Sequence, residues 1–163
     1  WPVEASLRAS WLKNTGIHDV VLLFPPRVTY MNSTVFGVGI DTARYGHYVS
    51  FVDQDIRTAS NGYLFKEDLA GYEKLKKSLL ALVKKSPDAK IRVCIDPAGV
   101  YGNNLTQFLQ KLEIPNMTVF VAHPERSKEY RKAVVGIKKA DASDSLVCAR
   151  FAVKENPPAS PVV

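Results

Sequence analysis

Cysteine is scarce in this sequence, which contains two cysteines, Cys94 and Cys148, among 163 residues. Each of them lies in an apolar stretch, and the two lack the close spacing of zinc ligands. We therefore expect two buried, reduced thiols rather than a metal site or a disulfide framework. Reduced thiols are typical of a cytoplasmic protein, so the sequence predicts that location.

Long apolar runs are also missing. No stretch approaches the roughly 18 residues that a membrane-spanning helix needs, and no signal-peptide pattern opens the sequence. We expect no membrane partner.

Histidine is equally sparse, with three residues, and the sequence shows no Ser/His/Asp or Cys/His arrangement for nucleophilic catalysis. His18 and His47 are expected to serve local structure. Gly37 and Gly39 do not form a dinucleotide-binding fingerprint, because no third glycine opens a helix after them. The small side chains of these two glycines favour close packing by another element.

The charge balance is basic, with a net charge of +6 and a pI near 9.3. A basic excess favours polyanionic partners such as nucleic acid, although a plain solvated surface can carry the same excess. The length and the hydrophobic content of 46% are sufficient for one domain with a substantial core.

Apolar periodicity predicts a β-β-β-α-β-α-β-α-α order. The predicted strands span 35–41, 47–53, 57–65, 90–96 and 117–122, and the predicted helices span 67–85, 101–112, 125–135 and 142–153. Short connections favour an antiparallel arrangement of the first three strands, and the later βαβ units favour parallel pairing. The prediction is an α/β protein with a mixed five-stranded sheet and helices on both faces, which is the ribonuclease H-like strand order.

The sequence divides into three segments. Residues 1–34 are an N-terminal extension of uncertain origin, residues 35–154 are the predicted domain, and residues 155–163 are a proline-rich tail or linker. We expect such a linker to lead to a second, C-terminal domain that this sequence does not include.

Four aspartates are the candidate functional residues. Asp41 and Asp96 each close a short apolar run, and Asp141 and Asp144 lie three residues apart at the head of a predicted helix. A buried strand that ends on a carboxylate is unusual, because an unpaired buried charge is costly. If the first and fourth strands are neighbours, the first two carboxylates meet at one edge of the sheet.

Carboxylates gathered in this way favour a divalent cation. Hard oxygen ligands suit Mg²⁺ or Mn²⁺, and such ions support phosphoryl transfer. Each aspartate alone has a simpler interpretation, as a helix cap or a turn residue. The combination of all four predicts the metal site.

A basic segment leads directly into Asp141. Its members that we expect to hold nucleic-acid phosphates are Lys128, Arg131, Lys138 and Lys139. A solvated helix face is the alternative interpretation.

Four motifs, in order, resemble one family. They are Val38-Gly-Ile-Asp41, Asp96-Pro-Ala-Gly-Val-Tyr101, His123-Pro124 with Lys128, and Lys139-Ala-Asp-Ala-Ser-Asp-Ser145 followed by Ala149-Arg-Phe-Ala152. Together they resemble the N-terminal, RuvC-like domain of the DEDD transposases of bacterial insertion sequences, which are related to the pilin-gene-inverting recombinases. The resemblance spans roughly residues 35–155.

The resemblance implies a ribonuclease H-like, RuvC-like catalytic domain. It implies that Asp41, Asp96, Asp141 and Asp144 form an acidic tetrad that binds Mg²⁺ and supports DNA strand cleavage and exchange. It also implies a partner DNA, a structured guide RNA, a homo-oligomer and a C-terminal domain with a nucleophilic serine. The chain departs from the family pattern at Asp96, where glutamate is usual, at Ala98 and Ala140, where threonine is usual, and at His123, which replaces asparagine.

Three other functions fit part of the sequence. A RuvC-like junction nuclease would use the same carboxylates without transposition. A catalytically inactive nucleic-acid-binding remnant would need no metal. An actin-like or sugar-kinase ATPase half also opens on Gly-Ile-Asp, but Thr42-Ala43-Arg44-Tyr45 follows here instead of a glycine-rich phosphate loop.

Overall fold

The computed structural model describes residues 34–123, 125 and 144–162. Within these residues, five strands form one sheet in the order β3-β2-β1-β4-β5. The strands are β1 (Val35–Asp41), β2 (Gly46–Val52), β3 (Thr58–Lys66), β4 (Lys90–Asp96) and β5 (Met117–Val121). The helices are α1 (Leu69–Lys85), α2 (Asn103–Lys111) and α3 (Asp144–Glu155). Of the predicted helix at 125–135, residues 126–135 lie outside the described residues.

The pairing of the strands confirms the predicted mixed sheet. β1 pairs antiparallel with β2, and β2 pairs antiparallel with β3, as the short connections require. β4 lies parallel to both β1 and β5. The strand order and directions are those of the ribonuclease H-like fold, so the predicted fold class is confirmed.

The main core lies on one face of the sheet, under α1 and α2. Alternate residues of the strands point into it, which is why the apolar runs alternate with smaller or polar residues. These helices bury Leu75, Leu79, Leu105 and Leu109 against strand residues that include Val38, Ile40, Val93 and Ile95. Each of these side chains is fully buried, and burial of a leucine or isoleucine contributes about 1.5–3 kcal/mol to folding.

Helix α3 covers the opposite face, and two glycines let it lie directly on β1. A Cβ atom added to Gly39 would overlap the carbonyl oxygen of Ser145 and the amide nitrogen of Ala149. A Cβ on Gly37 would meet the Ala149 carbonyl and Val153. The prediction that these glycines permit close packing is confirmed, and so is the prediction of helices on both faces.

The start of α2 differs from the prediction by two residues. The helix begins at Asn103 rather than at residue 101, after a turn that contains Gly99 at φ +62°. Tyr101 therefore precedes the helix and is 40% exposed instead of joining its buried stripe.

Two further predictions can be compared with the described residues. Cys94 and Cys148 are both buried and free, as expected. None of the helices in the described part of the chain combines the length and the apolar content of a membrane span.

The tail lies along the outer edge of β5. The Ser160 amide donates to the carbonyl of Val119, and the Val121 amide donates to the Ser160 hydroxyl, at 2.9 Å each. The tail thereby satisfies backbone groups that an edge strand would otherwise expose.

Candidate metal centre

Three of the four predicted aspartates meet at one edge of the sheet. Asp41, Asp96 and Asp144 are each partly buried, and one carboxylate oxygen from each lies within 4.8 Å of the others. They come from β1, β4 and the first residue of α3, so residues more than one hundred positions apart in sequence form the cluster. The predicted meeting of Asp41 and Asp96 is confirmed.

Strand register places the first two carboxylates. Asp41 and Asp96 are partners in the parallel ladder of β1 and β4, and each is the last residue of its strand. Partners in register point to the same face of a sheet, so both side chains lie on the face that α3 covers. The apolar residues before them anchor both strands in the core, which fixes the edge where the carboxylates emerge.

Thr42 joins the two strand ends through its backbone and its hydroxyl group. Its amide donates to the carbonyl oxygen of Asp96 at 3.2 Å, and its hydroxyl donates to the same oxygen at 2.8 Å. The hydroxyl also accepts from the amide of Ala98 at 2.8 Å. Because Thr42 is only 3% exposed, these bonds are shielded from water. Thr42 therefore fixes the backbone of Asp96 beside Asp41.

Helix α3 places the third carboxylate. Ser145, the residue after Asp144, is fully buried, and its hydroxyl oxygen lies 2.7 Å from that of Ser50 on β2. The close contact between Gly39 and the first turn of α3 sets the height of the helix above the sheet. Together these contacts hold Asp144 over the strand ends.

The turn between β1 and β2 is fixed by a buried histidine. The Ala43 amide donates to Nδ1 of His47 at 3.2 Å. Since Nδ1 accepts this bond, Nε2 carries the proton of the neutral ring. Nε2 lies 3.4 Å from Oε1 of Glu67, with a geometry that falls short of a hydrogen bond, and the Tyr72 hydroxyl donates to that oxygen. His47 thus serves local structure next to the site, as predicted.

The oxygen spacing fits hard divalent cations. Two oxygens on opposite sides of one Mg²⁺ lie about 4.2 Å apart. The observed oxygen–oxygen spacing of up to 4.8 Å is about 0.6 Å wider than this. Small side-chain rotations would therefore let the three carboxylates coordinate one ion or two. Repulsion between two carboxylates at this distance is about 3 kcal/mol at an effective dielectric constant of about 20. A bound cation would offset that repulsion.

Five predicted site residues lie outside the described residues: Asp141, Lys128, Arg131, Lys138 and Lys139. His123 is described, and it lies on the surface just after β5. Its Nδ1 accepts a hydrogen bond from the Glu125 amide at 3.3 Å, which agrees with the expectation of a surface, hydrogen-bonding histidine.

Thr42 and Ser50 are supporting residues outside the sequence motifs, and Ser145 is a third that ends one of those motifs. Each acts through a hydrogen bond to a residue at least 54 positions away in sequence. The polar character of Ser50 within the otherwise apolar end of β2 hints at a partner inside the protein.

The sheet order and the acidic edge define a ribonuclease H-like domain with a candidate cation site. Residues 38–162 match a transposase family, the DEDD transposases of the IS110 type. This match covers more than half of the chain, and the chain belongs to that family.

Solved structures with a similar chain trace include T. thermophilus RuvC in complex with a Holliday junction substrate. The TM-score is 0.47 at 13% sequence identity, over 77% of this chain and 96% of the RuvC chain. No curated protein matches the chain.

Proposed function

We propose that this chain is the metal-dependent catalytic domain of a DNA transposase or site-specific recombinase. The observation that carries the proposal is the convergence of Asp41, Asp96 and Asp144 within 4.8 Å on a ribonuclease H-like sheet. Membership of the transposase family supports DNA strand cleavage and exchange as the reaction. Asp141 is proposed as the fourth ligand.

Each carboxylate has a distinct position in the proposed site. Asp41, in the middle strand of the sheet, would contribute to every ion bound there, with Asp96 on one side and Asp144 above. Mg²⁺ or Mn²⁺ held by these groups would supply charge stabilisation for phosphodiester cleavage. Thr42, Ser50 and Ser145 keep the three carboxylates at this spacing.

Partners follow from charge and family. The net charge of +6 favours DNA, and Lys128, Arg131, Lys138 and Lys139 are proposed to hold backbone phosphates. A structured guide RNA and a homo-oligomer are proposed from the family alone, with a cytoplasmic location. The proposed domain spans residues 35–154, and its start is supported by the compact unit that begins at Thr34. Residues 1–34 and 155–163 are proposed as an extension and a linker.

A cleavage assay tests the proposal. The chain would be incubated with supercoiled plasmid and, separately, with a four-way DNA junction, in Mg²⁺, in Mn²⁺ and with a chelator. We expect nicking that needs the metal and that falls on the order of a hundredfold or more in Asp96→Asn, since metal stabilisation of the transition state is worth several kcal/mol. Asp88→Asn is the matched control. Asp88 is exposed and lies two residues before β4 begins, at the end of the strand away from Asp96.

The outcomes separate the alternatives. Cleavage confined to the junction would favour a junction nuclease over a transposase. DNA binding with neither cleavage nor thermal stabilisation by Mn²⁺ would favour an inactive binding module. Equal cleavage by the parent and Asp96→Asn would contradict the proposed site.

A further inference from the structure

An open shelf lies beside the carboxylates, on the side of the sheet that α3 covers only in part. The shelf consists of Tyr48 on β2 and of Gly62 and Leu64 on β3. Tyr48 is the register partner of Asp41 on one side and of Leu64 on the other. Residues directly opposite in an antiparallel pair share a face and have Cβ atoms about 4.5–5.5 Å apart. The shelf is therefore the immediate neighbour of Asp41.

The ring of Tyr48 reaches the neighbouring strand β3 at Gly62. A Cβ atom added to Gly62 would be 3.1 Å from the Cε1 atom and 3.2 Å from the hydroxyl oxygen of this ring. Because Gly62 has no side chain, the ring reaches across the backbone of β3. Tyr48 remains 37% exposed. A partly exposed aromatic ring thus lies next to the site.

The surroundings of the ring are apolar on one side and cationic at the site edge. Leu64 is 69% exposed and, as the register partner of Tyr48, lies on the same face of the sheet. Lys66 follows two residues later on the same face, opposite Gly46, and is exposed. Arg44 is exposed in the β1–β2 turn, where its guanidinium group lies 5.1 Å from the ring centre of Tyr45.

We infer that this shelf stacks an unpaired nucleotide of the DNA strand whose phosphate lies at the carboxylates, an inference that rests on the proposed function. Exposed aromatic side chains bind single-stranded nucleic acid by base stacking, and cations beside them hold the backbone. The open ring surface of Tyr48 suits a base only when that base has left the duplex stack. The substrate class is thus a DNA strand that is unpaired next to the cleaved phosphate.

Binding of a labelled oligothymidine single strand to the full chain tests this inference. Fluorescence anisotropy in Ca²⁺ would give the dissociation constant for the parent, Tyr48→Phe and Tyr48→Leu. We expect Tyr48→Leu, which keeps apolar cover over Gly62, to weaken binding by about tenfold, since one stacked base is worth about 1–3 kcal/mol. Tyr48→Phe should bind within a factor of about two of the parent, because stacking needs the ring and not the hydroxyl.

Two further variants sharpen the test. Tyr48→Trp should bind more tightly, and its added tryptophan emission should be quenched by the oligonucleotide. Lys66→Gln should lower the slope of log affinity against log salt by about 0.7, the value for one phosphate contact on a single strand. Unchanged affinity in Tyr48→Leu, equal losses in Tyr48→Phe and Tyr48→Leu, or unquenched emission in Tyr48→Trp would each overturn the inference.

The metal response separates this inference from the proposed function. If Mn²⁺ stabilises the parent and Tyr48→Leu binds DNA with unaltered affinity, the stacking inference is contradicted and the proposed metal site stands. If Mn²⁺ does not stabilise the parent, both the proposed function and the inference are contradicted.

Discussion

The hydroxyl oxygens of Ser50 and Ser145 lie 2.7 Å apart in the buried space between β2 and α3. The two residues are 95 positions apart in sequence, and their bond ties the first turn of α3 to the sheet. Since Asp144 directly precedes Ser145, the bond also holds the third carboxylate in place.

A double-mutant cycle on Ser50→Ala and Ser145→Ala measures this bond. Each single variant is expected to lose about 1–2 kcal/mol of unfolding free energy, and the coupling energy should be about 1 kcal/mol. Urea unfolding of the four proteins gives the value. Strictly additive losses would show that the two hydroxyls do not interact.

Gly39→Ala tests the contact between β1 and α3. The added methyl group would overlap backbone atoms of Ser145 and Ala149, so the helix must shift. We expect a loss of about 3 kcal/mol or more in unfolding free energy, at the upper end of overpacking effects, and a weaker Mn²⁺ response because Asp144 moves with the helix.

The control for that variant is Gly99→Ala. A Cβ atom there meets nothing within 4 Å, although the φ of +62° is unfavourable for alanine. This control should lose only about 1–2 kcal/mol. A Gly39→Ala protein as stable as Gly99→Ala would contradict the close packing of α3.

Thr42→Val tests the link between the strand ends. Valine has nearly the same shape, but it leaves the Ala98 amide without its partner and removes one bond to the Asp96 carbonyl. The expected loss is about 1–3 kcal/mol of unfolding free energy, with weaker Mn²⁺ binding. Thr42→Ser keeps the hydroxyl and should retain most of both properties, as measured by urea unfolding and thermal shift. Equal behaviour of the two variants would rule out a role for the hydroxyl.

We expect the stability of the protein to depend on pH through the partly buried side chain of Tyr63. Burial raises the pKa of its hydroxyl above the ordinary value of 10.0, and the hydrogen bond to Ser78 partly offsets that rise. The folded protein therefore keeps this proton at a pH where the unfolded chain has lost it. The stabilisation is fully present below pH 10 and declines as the pH rises from 10 through the pKa of the folded protein.

Urea unfolding between pH 8 and pH 11 measures this effect, with Tyr63→Phe as the comparison. The variant should be less stable at neutral pH, because it lacks the 2.6 Å bond to Ser78, and its stability should decline less above pH 10. Parallel pH profiles for the two proteins would show that Tyr63 does not contribute.

Local pattern predicted much of the fold. Both strands that end on a candidate ligand, β1 and β4, have the predicted bounds. β1 is an uninterrupted apolar run, as expected of a buried central strand. In β4, isoleucine and valine recur at every second position up to Asp96. The start of α2 could not be predicted as accurately. The helix-like apolar spacing begins at Tyr101, but Tyr101 lies in a turn with Gly99 and Gly102, and the helix begins only at Asn103.

The candidate site was predictable as a set of carboxylates but not as a geometry. Asp41 and Asp96 were recognisable because each ends an apolar strand. The supports could not be predicted, because Thr42 and Ser145 act through bonds that only the folded chain brings together. The roles of Asp141 and of the four basic residues stay predictions.

Binding of Mn²⁺ to the parent, Asp41→Asn and Asp88→Asn is the most direct test of the central claim, that three distant carboxylates hold one cation site. At a concentration one hundred times the dissociation constant, Mn²⁺ should stabilise the parent by about 2.7 kcal/mol, a rise in melting temperature of about 5–10 °C. Asp88→Asn should respond like the parent, and Asp41→Asn should lose the rise. Equal shifts in Asp41→Asn and the parent would contradict the account.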